Sequence, residues 1–178
     1  MSGELAGKRI VVLGGGRQRY GEEDPPEGIG KATCVLAARE GARVAVVDRD
    51  ADAAEESAVD VRAAGGEALA LTADCAEEEP LRAALEQAST AFGGIDGLVL
   101  NVGIGAGADF EGTSTRAWDI VMKVNVRSHF LGCKLGLPLL AENGSIVLVS
   151  SVAATYVAGT RMPAYTASKA ALSGLVRH

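Results

Sequence analysis

Arg9-Ile10-Val11-Val12-Leu13 is a short, β-branched apolar run that empties directly into Gly14-Gly15-Gly16, and this junction restricts the fold more than any other part of the chain. A run of that kind, without in-out alternation, reads as a strand buried on both faces. Downstream, Gly28-Ile29-Gly30 opens a helical pattern (Ala32, Val35, Leu36, Ala37) that ends at Gly41, and a second apolar run, Arg43 to Val47, leads into Asp48. Strand, glycines, helix, strand and acid is the order of a dinucleotide-binding βαβ unit. The glycines let the backbone approach a pyrophosphate and offer it a helix N-terminus. A carboxylate after the second strand can accept the hydroxyls of the adenosine ribose.

The alternation continues along the chain. Helical patterns are predicted over Ile29 to Glu40, Ala51 to Ala64, Glu77 to Phe92, Thr115 to Ala141 and Pro163 to Arg177. Further strands are predicted at Ala68 to Leu71, Leu98 to Leu100 and Ile146 to Val149. Short buried strands separated by helices imply an α/β fold of Rossmann type. Its doubly wound parallel sheet takes the strand order 3-2-1-4-5, with helices on both faces. Gly14, Asp48, Asp74, Asn101 and Ser151 all fall at or just after the C-terminal ends of strands, so they are expected to meet in one ligand crevice. Trp118, Phe130 and Leu131 have core-like helical spacing and are expected to pack inside.

With 178 residues and no linker or repeat, the chain reads as one dinucleotide-binding domain, residues 1–178, carrying its own active site. A net charge of -6 with no basic cluster argues against nucleic acid or an anionic membrane as partner. No apolar run reaches membrane-spanning length, and Met1-Ser2-Gly3-Glu4 lacks the basic flank of a signal peptide, so a cytoplasmic location is the expectation. Cys34, Cys75 and Cys133 are odd in number and widely spaced. They are expected to be reduced and mostly buried, with neither a disulfide nor a metal site.

Near the end of the chain, Tyr165 and Lys169 stand four residues apart on a predicted helix, so the phenol and the ammonium share a face. A cation held beside a phenol favours the phenolate, an arrangement suited to moving a proton to or from an alcohol oxygen. Together with the N-terminal unit, these residues make the chain resemble the short-chain dehydrogenase/reductase family. Its glycine turn is recognisable in Leu13-Gly14-Gly15-Gly16-Arg17 and Gly28-Ile29-Gly30, and its Asn-Ala-Gly in Asn101-Val102-Gly103. The resemblance implies a catalytic set of Asn125, Ser151, Tyr165 and Lys169. It implies cofactor contacts from Gly14, Arg17, Gly28, Ile29, Gly30, Asp48, Asp74, Cys75, Asn101, Gly103, Tyr165 and Lys169. Tyr165 would be the general acid/base, and Ser151 would hydrogen-bond the substrate oxygen. Lys169 would tune Tyr165 and hold the nicotinamide ribose, while Asn125 would support a water that relays protons.

Single residues also carry plainer readings. Asp74 could cap the helix beginning near Glu77, and Ser150 reads as structural. Tyr156 and Arg161 read as solvated loop residues, and His129 and His178 have no partner pattern. Asp48 would repel a 2′-phosphate and so favours NAD over NADP. Arg17, in the slot before the family's second glycine, pulls toward NADP.

Two features depart from the family. Gln18 to Glu27 (QRYGEEDPPE) interrupts the glycine turn and reads as a surface loop looping outward over the cofactor cleft. The sequence also stops at Arg177-His178, where the family continues through further strands. The expectation is therefore either a fragment of a longer gene product or a chain covered by association with another chain. The favoured function is an NAD-dependent dehydrogenase or carbonyl reductase acting on a small secondary alcohol or carbonyl compound. A homodimer or homotetramer would pack through the last two helical patterns. The alternative is a catalytically silent nucleotide-binding or oligomerisation module.

Overall fold

The computed structural model describes residues 3–17, 26–156 and 161–177. Most of the expected surface loop, residues 18–25, lies outside the described residues, as does His178. Strand β1 (Arg9–Leu13) leads to helix α1 (Ile29–Arg39), β2 (Arg43–Asp48), α2 (Ala51–Ala63), β3 (Glu67–Thr72), α3 (Glu78–Phe92) and β4 (Ile95–Leu100). Helices α4 (Thr115–Met122) and α5 (Ser128–Gly136) follow, then β5 (Leu140–Leu148) and α6 (Pro163–Leu175). The five strands form one sheet of order β3-β2-β1-β4-β5 with every pair parallel, as the sequence predicts.

The period-two geometry of a strand sorts the core into two layers. Val11, Leu13, Ala45 and Val47 point to one face of the sheet, where Leu81 and Leu85 of α3 and Leu131 and Leu135 of α5 cover them. Their chain neighbours Ile10, Val12, Val44 and Val46 point to the other face, against Cys34 and Ala37 of α1 and Ala54, Ala58 and Val61 of α2. Apolar side chains are thus needed at consecutive positions of β1 and β2, which is why those runs show no alternation. Each fully buried Val or Leu contributes roughly 1.5–3 kcal/mol relative to exposure. β5 forms one edge of the sheet, and its Val147 is half exposed.

Three expectations need correction. The predicted Thr115 to Ala141 helix is broken by a π-helical turn at Lys123–Arg127, and α5 gives way to a 3₁₀ turn at Leu137–Leu139, where Pro138 lacks the N–H that would continue it. The fifth strand starts at Leu140, ahead of the predicted Ile146, and its pairing with β4 shifts register between Ile95 and Gly97. Leu131 is buried, but Trp118 and Phe130 are 38 % and 50 % exposed. The stripe turned inward on these helices is Val121, Asn125, Ser128, Leu131 and Leu135, and the two aromatics lie off it.

At the N-terminal ends of the strands, Arg9 fixes the alignment of β1 with β4. Its Nε and Nη2 donate to the two carboxylate oxygens of Asp96 at 2.6 and 3.0 Å, its backbone N–H donates to the same carboxylate, and its Nη1 donates to the Gly93 carbonyl. Hydrogen bonding to Arg9 holds the Asp96 carboxyl below its usual range. Because that value is depressed in the folded chain, the contribution is full above the ordinary carboxylate pKa and is lost as pH falls through the lowered one. Asp96→Asn should cost about 1.5–3 kcal/mol, read as a lower urea midpoint with an unchanged m-value; an unchanged midpoint would remove the pair from the account of the register.

Candidate active site

The glycine turn and the sheet meet at one backbone atom. Gly14 takes φ 73°, a left-handed conformation that glycine adopts without a Cβ clash, and its N–H and that of Gly15 both donate to the Val47 carbonyl. The Gly14 carbonyl then accepts from Asn101 Nδ2 at 2.8 Å. Helix α1 comes down on the same spot: a Cβ on Gly30 would stand 2.0 Å from the Gly14 oxygen. Only glycine at position 30 permits this approach.

Helix α1 starts after Gly28 with no side-chain cap and no acidic residue in its first turn. The neighbouring α2 differs, because Asp50 accepts from the N–H groups of Asp52 and Ala53. The first-turn donors of α1 therefore lack intrahelical partners and carry the positive end of the helix dipole, the donor set that a pyrophosphate requires. They border a cavity of about 840 Å³ over the C-terminal ends of the strands. Gly14, Arg17, Gly28, Ile29, Gly30, Asp48, Asp74, Cys75, Asn101, Gly103, Tyr165 and Lys169 all line it. All the residues that the resemblance assigned to a cofactor therefore share one lining. The uncapped helix end and the glycine cradle fit a dinucleotide.

Asp48 is held in place by the glycine turn and by its own loop: Oδ2 accepts from the Gly16 N–H at 3.0 Å and Oδ1 from the Asp50 N–H at 3.1 Å. A carboxylate has about four lone-pair sites, so both oxygens can still accept from ribose hydroxyls. Asp74 is exposed and accepts from the Ala76 N–H at 2.9 Å. It closes the turn ahead of α3 and is not the N-cap, which is Glu77. Burial pushes the Cys75 and Cys34 thiols up to about 12, so both stay protonated and Cys75 lines the cavity as a small apolar group.

In the candidate catalytic part, α6 carries Tyr165, half-buried, and Lys169, which is 3 % exposed. The Lys169 Nζ lies 6.0 Å from the Tyr165 ring centroid and donates to the Val149 carbonyl at 2.9 Å. Burial moves the Lys169 ammonium below its ordinary pKa. A Cβ on Gly103 would come within 3.1 Å of that nitrogen, so the glycine leaves it room. Ser150 donates to the Lys169 carbonyl, tying α6 to the end of β5.

Asn125 and Ser151 are near this cluster in sequence role but do not line the cavity. Asn125 sits fully buried in the π turn, with its oxygen accepting from the Ile104 N–H and its amide donating to the Ile104 carbonyl and to Ser168 Oγ. Both side-chain hydrogens are thus committed to holding the loop after β4 against α6. Ser151 opens a 3₁₀ turn at Val152–Ala154, and its Oγ accepts from the Ala153 N–H while its own O–H keeps the capacity to donate. Tyr156 and Arg161 are exposed and off the cavity.

Sequence reading missed Ser168, whose Oγ donates to the Tyr165 carbonyl and links that residue to Asn125. It also missed His129. This side chain is 1 % exposed, its Nε2 lies 3.0 Å from the Leu100 carbonyl, and its Nδ1 lies 3.2 Å from Ser128 Oγ. The Leu100 carbonyl also accepts from the Val149 N–H, so His129 pins the junction of β4 and β5 that holds Lys169. No short motif surrounds His129, and Ser168, although it stands between Tyr165 and Lys169, was assigned no role by the resemblance. Among the described residues, no group of three or more His, Cys, Asp or Glu is placed to hold a metal ion.

Comparison with known proteins agrees with this geometry. The short chain dehydrogenase family matches residues 26–178. The chain is 36 % identical over 179 aligned residues to 2-(S)-hydroxypropyl-CoM dehydrogenase 3 of Xanthobacter autotrophicus, covering 99 % of this chain and 66 % of that protein. It is 34 % identical to 2,5-dichloro-2,5-cyclohexadiene-1,4-diol dehydrogenase LinX of Sphingobium indicum, covering 97 % of this chain and 65 % of that protein. A short chain dehydrogenase from Burkholderia cenocepacia, solved in complex with NADP, superposes with a TM-score of 0.84 at 35 % identity, covering 96 % of this chain and 66 % of that one. The chain therefore spans 65 to 66 % of the length of these relatives.

The buried imidazole gives the site a pH signature. Burial, with a smaller contribution from the Lys169 charge, lowers the His129 pKa from 6.5 to about 4, so the ring is neutral in the folded chain near pH 7. Between these values the unfolded chain binds more protons than the folded one, and stability falls as pH falls. Over the whole window the loss is roughly 3 kcal/mol. Urea midpoints measured from pH 7 to pH 5 should decline for the wild type and be nearly flat for His129→Gln; parallel declines would mean that this ring is not the titrating group.

Proposed function

The chain belongs to the short-chain dehydrogenase family, and on that premise we propose that it interconverts a small secondary alcohol and the corresponding carbonyl compound. One observation carries the reading: the Tyr165 and Lys169 pair opens into the same cavity as the uncapped N-terminus of α1. When bound, NAD(P) supplies the hydride acceptor or donor. The chain's own part is to bind, orient and manage the proton. In oxidation, Tyr165 takes the proton from the alcohol oxygen while the hydride leaves the carbon; in reduction both move the other way. The Lys169 ammonium, fixed by the Val149 carbonyl, favours the phenolate and faces the site of the nicotinamide ribose.

Ser151 donates its O–H to the substrate oxygen as negative charge develops there. Asn125 acts through its hold on Ile104 and Ser168, which sets the loop and helix between which the substrate lies. Residues 1–178 work as one dinucleotide-binding domain with its own active site. A secondary alcohol as substrate is supported by the names of both curated relatives, since a 2-hydroxypropyl group and a cyclohexadienediol each carry one.

NAD is the preferred cofactor in this reading. Asp48, Asp50 and Asp52 line the end of the cavity meant for adenosine, and their charge opposes a 2′-phosphate. A cytoplasmic location and assembly into a homodimer or homotetramer complete the proposal. The exposed Trp118, Ile120 and Phe130 on α4 and α5 offer apolar surface for such packing.

A silent nucleotide-binding module is the second reading, and what favours it is the position of Ser151 off the cavity lining. Turnover separates the two. With a panel of secondary alcohols and NAD, Tyr165→Phe should lose about 10²-fold or more in rate, while NADH affinity, read by fluorescence, stays within about threefold. Equal turnover by wild type and variant would take Tyr165 out of the chemistry.

A further inference from the structure

A phosphate on the adenosine ribose, beside Asp48, would need a cation, and Arg17 is one that the glycine turn brings to the same cavity. The Gly16 N–H bonds Asp48 directly, so residue 17 follows immediately after the contact, and both Arg17 and Asp48 line the cavity. Arg17, however, is drawn toward α2: its Nη1 lies 3.9 Å from Glu56 Oε1. The same carboxylate oxygen accepts from Lys31 Nζ of α1 at 3.1 Å, and Lys31 is held a second time by Asp60 at 2.6 Å. Lys31 is nearly buried, so this junction of α1 and α2 is a fixed element, and Glu56 is its one member that also lines the cavity.

We infer that Glu56 is a specificity-determining residue, holding the Arg17 guanidinium against α2 and away from the place of a 2′-phosphate, and so keeping NAD ahead of NADP. The inference rests on the cofactor reading above, in which the ribose lies beside Asp48. Asp48 and Glu56 then discriminate in different ways: Asp48 repels the phosphate directly, and Glu56 withholds the cation that would receive it. In terms of charge alone, both are acids beside the same pocket. Their effects differ in whether Arg17 is needed.

The test is a fluorescence titration with NADH and NADPH, read as the ratio of the two dissociation constants. Glu56→Gln should move that ratio toward NADPH by roughly fivefold relative to wild type, and Glu56→Ala should do the same. Asp60→Asn, which removes the other partner of Lys31, should leave the ratio unchanged. In an Arg17→Met background the further change Glu56→Gln should no longer shift the ratio. An unchanged ratio in both Glu56 variants overturns the inference, as does an equal shift in Asp60→Asn. An undiminished shift in the Arg17→Met background also overturns it, because Glu56 would then act through its own charge. Wild type binding NADPH as tightly as NADH would instead sink the NAD preference, and the change on Glu56→Gln would still decide the role of Glu56.

Discussion

The contact of Gly30 with the Gly14 carbonyl, bridged by the Asn101 amide, is the constraint from which the rest of the site follows. It joins the end of β1, the start of α1 and the end of β4 at one oxygen atom. Because α1 sits that close to the sheet, its unpartnered first-turn donors face the crevice between strand ends and are not left to bulk water. The same junction fixes where Asp48 can lie, since Gly14 and Gly15 hang from the Val47 carbonyl and Gly16 from the Asp48 side chain. The proposed nucleotide site is thus made mostly of backbone, with few side chains to specify it.

The proposed catalytic part is built on a different principle. It places polar groups, Asn125, Ser168, Lys169 and His129, inside the fold and partners them with one another or with strand-end carbonyls. A buried charge such as Lys169 costs stability unless it is well bonded, and here one partner is the Val149 carbonyl. The π turn at Lys123–Arg127 belongs to the same arrangement, because it departs from regular helix at the point where Asn125 must reach Ile104 and Ser168. Local structure yields to the site there.

These two principles explain what could be read in advance. The sheet order, the two core layers and the shared cavity lining were legible because they rest on local signals: apolar runs of strand length, glycines after β1, an acid after β2 and a Tyr-Lys pair one helical turn apart. Strand β5 was started six residues too late because its bulged start, Leu140 to Gly144, contains Asn143 at φ 64° and has no apolar pattern. Trp118 and Phe130 were misplaced because helical spacing shows a periodicity without saying which stripe faces inward, and the π turn shifts the stripe midway. Ser168, His129 and Glu56 act through contacts between residues far apart in the chain, for which a single sequence holds no local sign. Asn125 was found by resemblance, but its saturated amide was visible only in three dimensions.

Calorimetric titration with NADH of the wild-type chain and of Gly30→Ala tests the central claim most directly. A Cβ at position 30 would overlap the Gly14 carbonyl at 2.0 Å. The account predicts binding in the micromolar range for the wild type and a loss of tenfold or more in the variant, with the variant still folded by circular dichroism. No saturable binding by the wild type, or equal affinity in the two proteins, would contradict it.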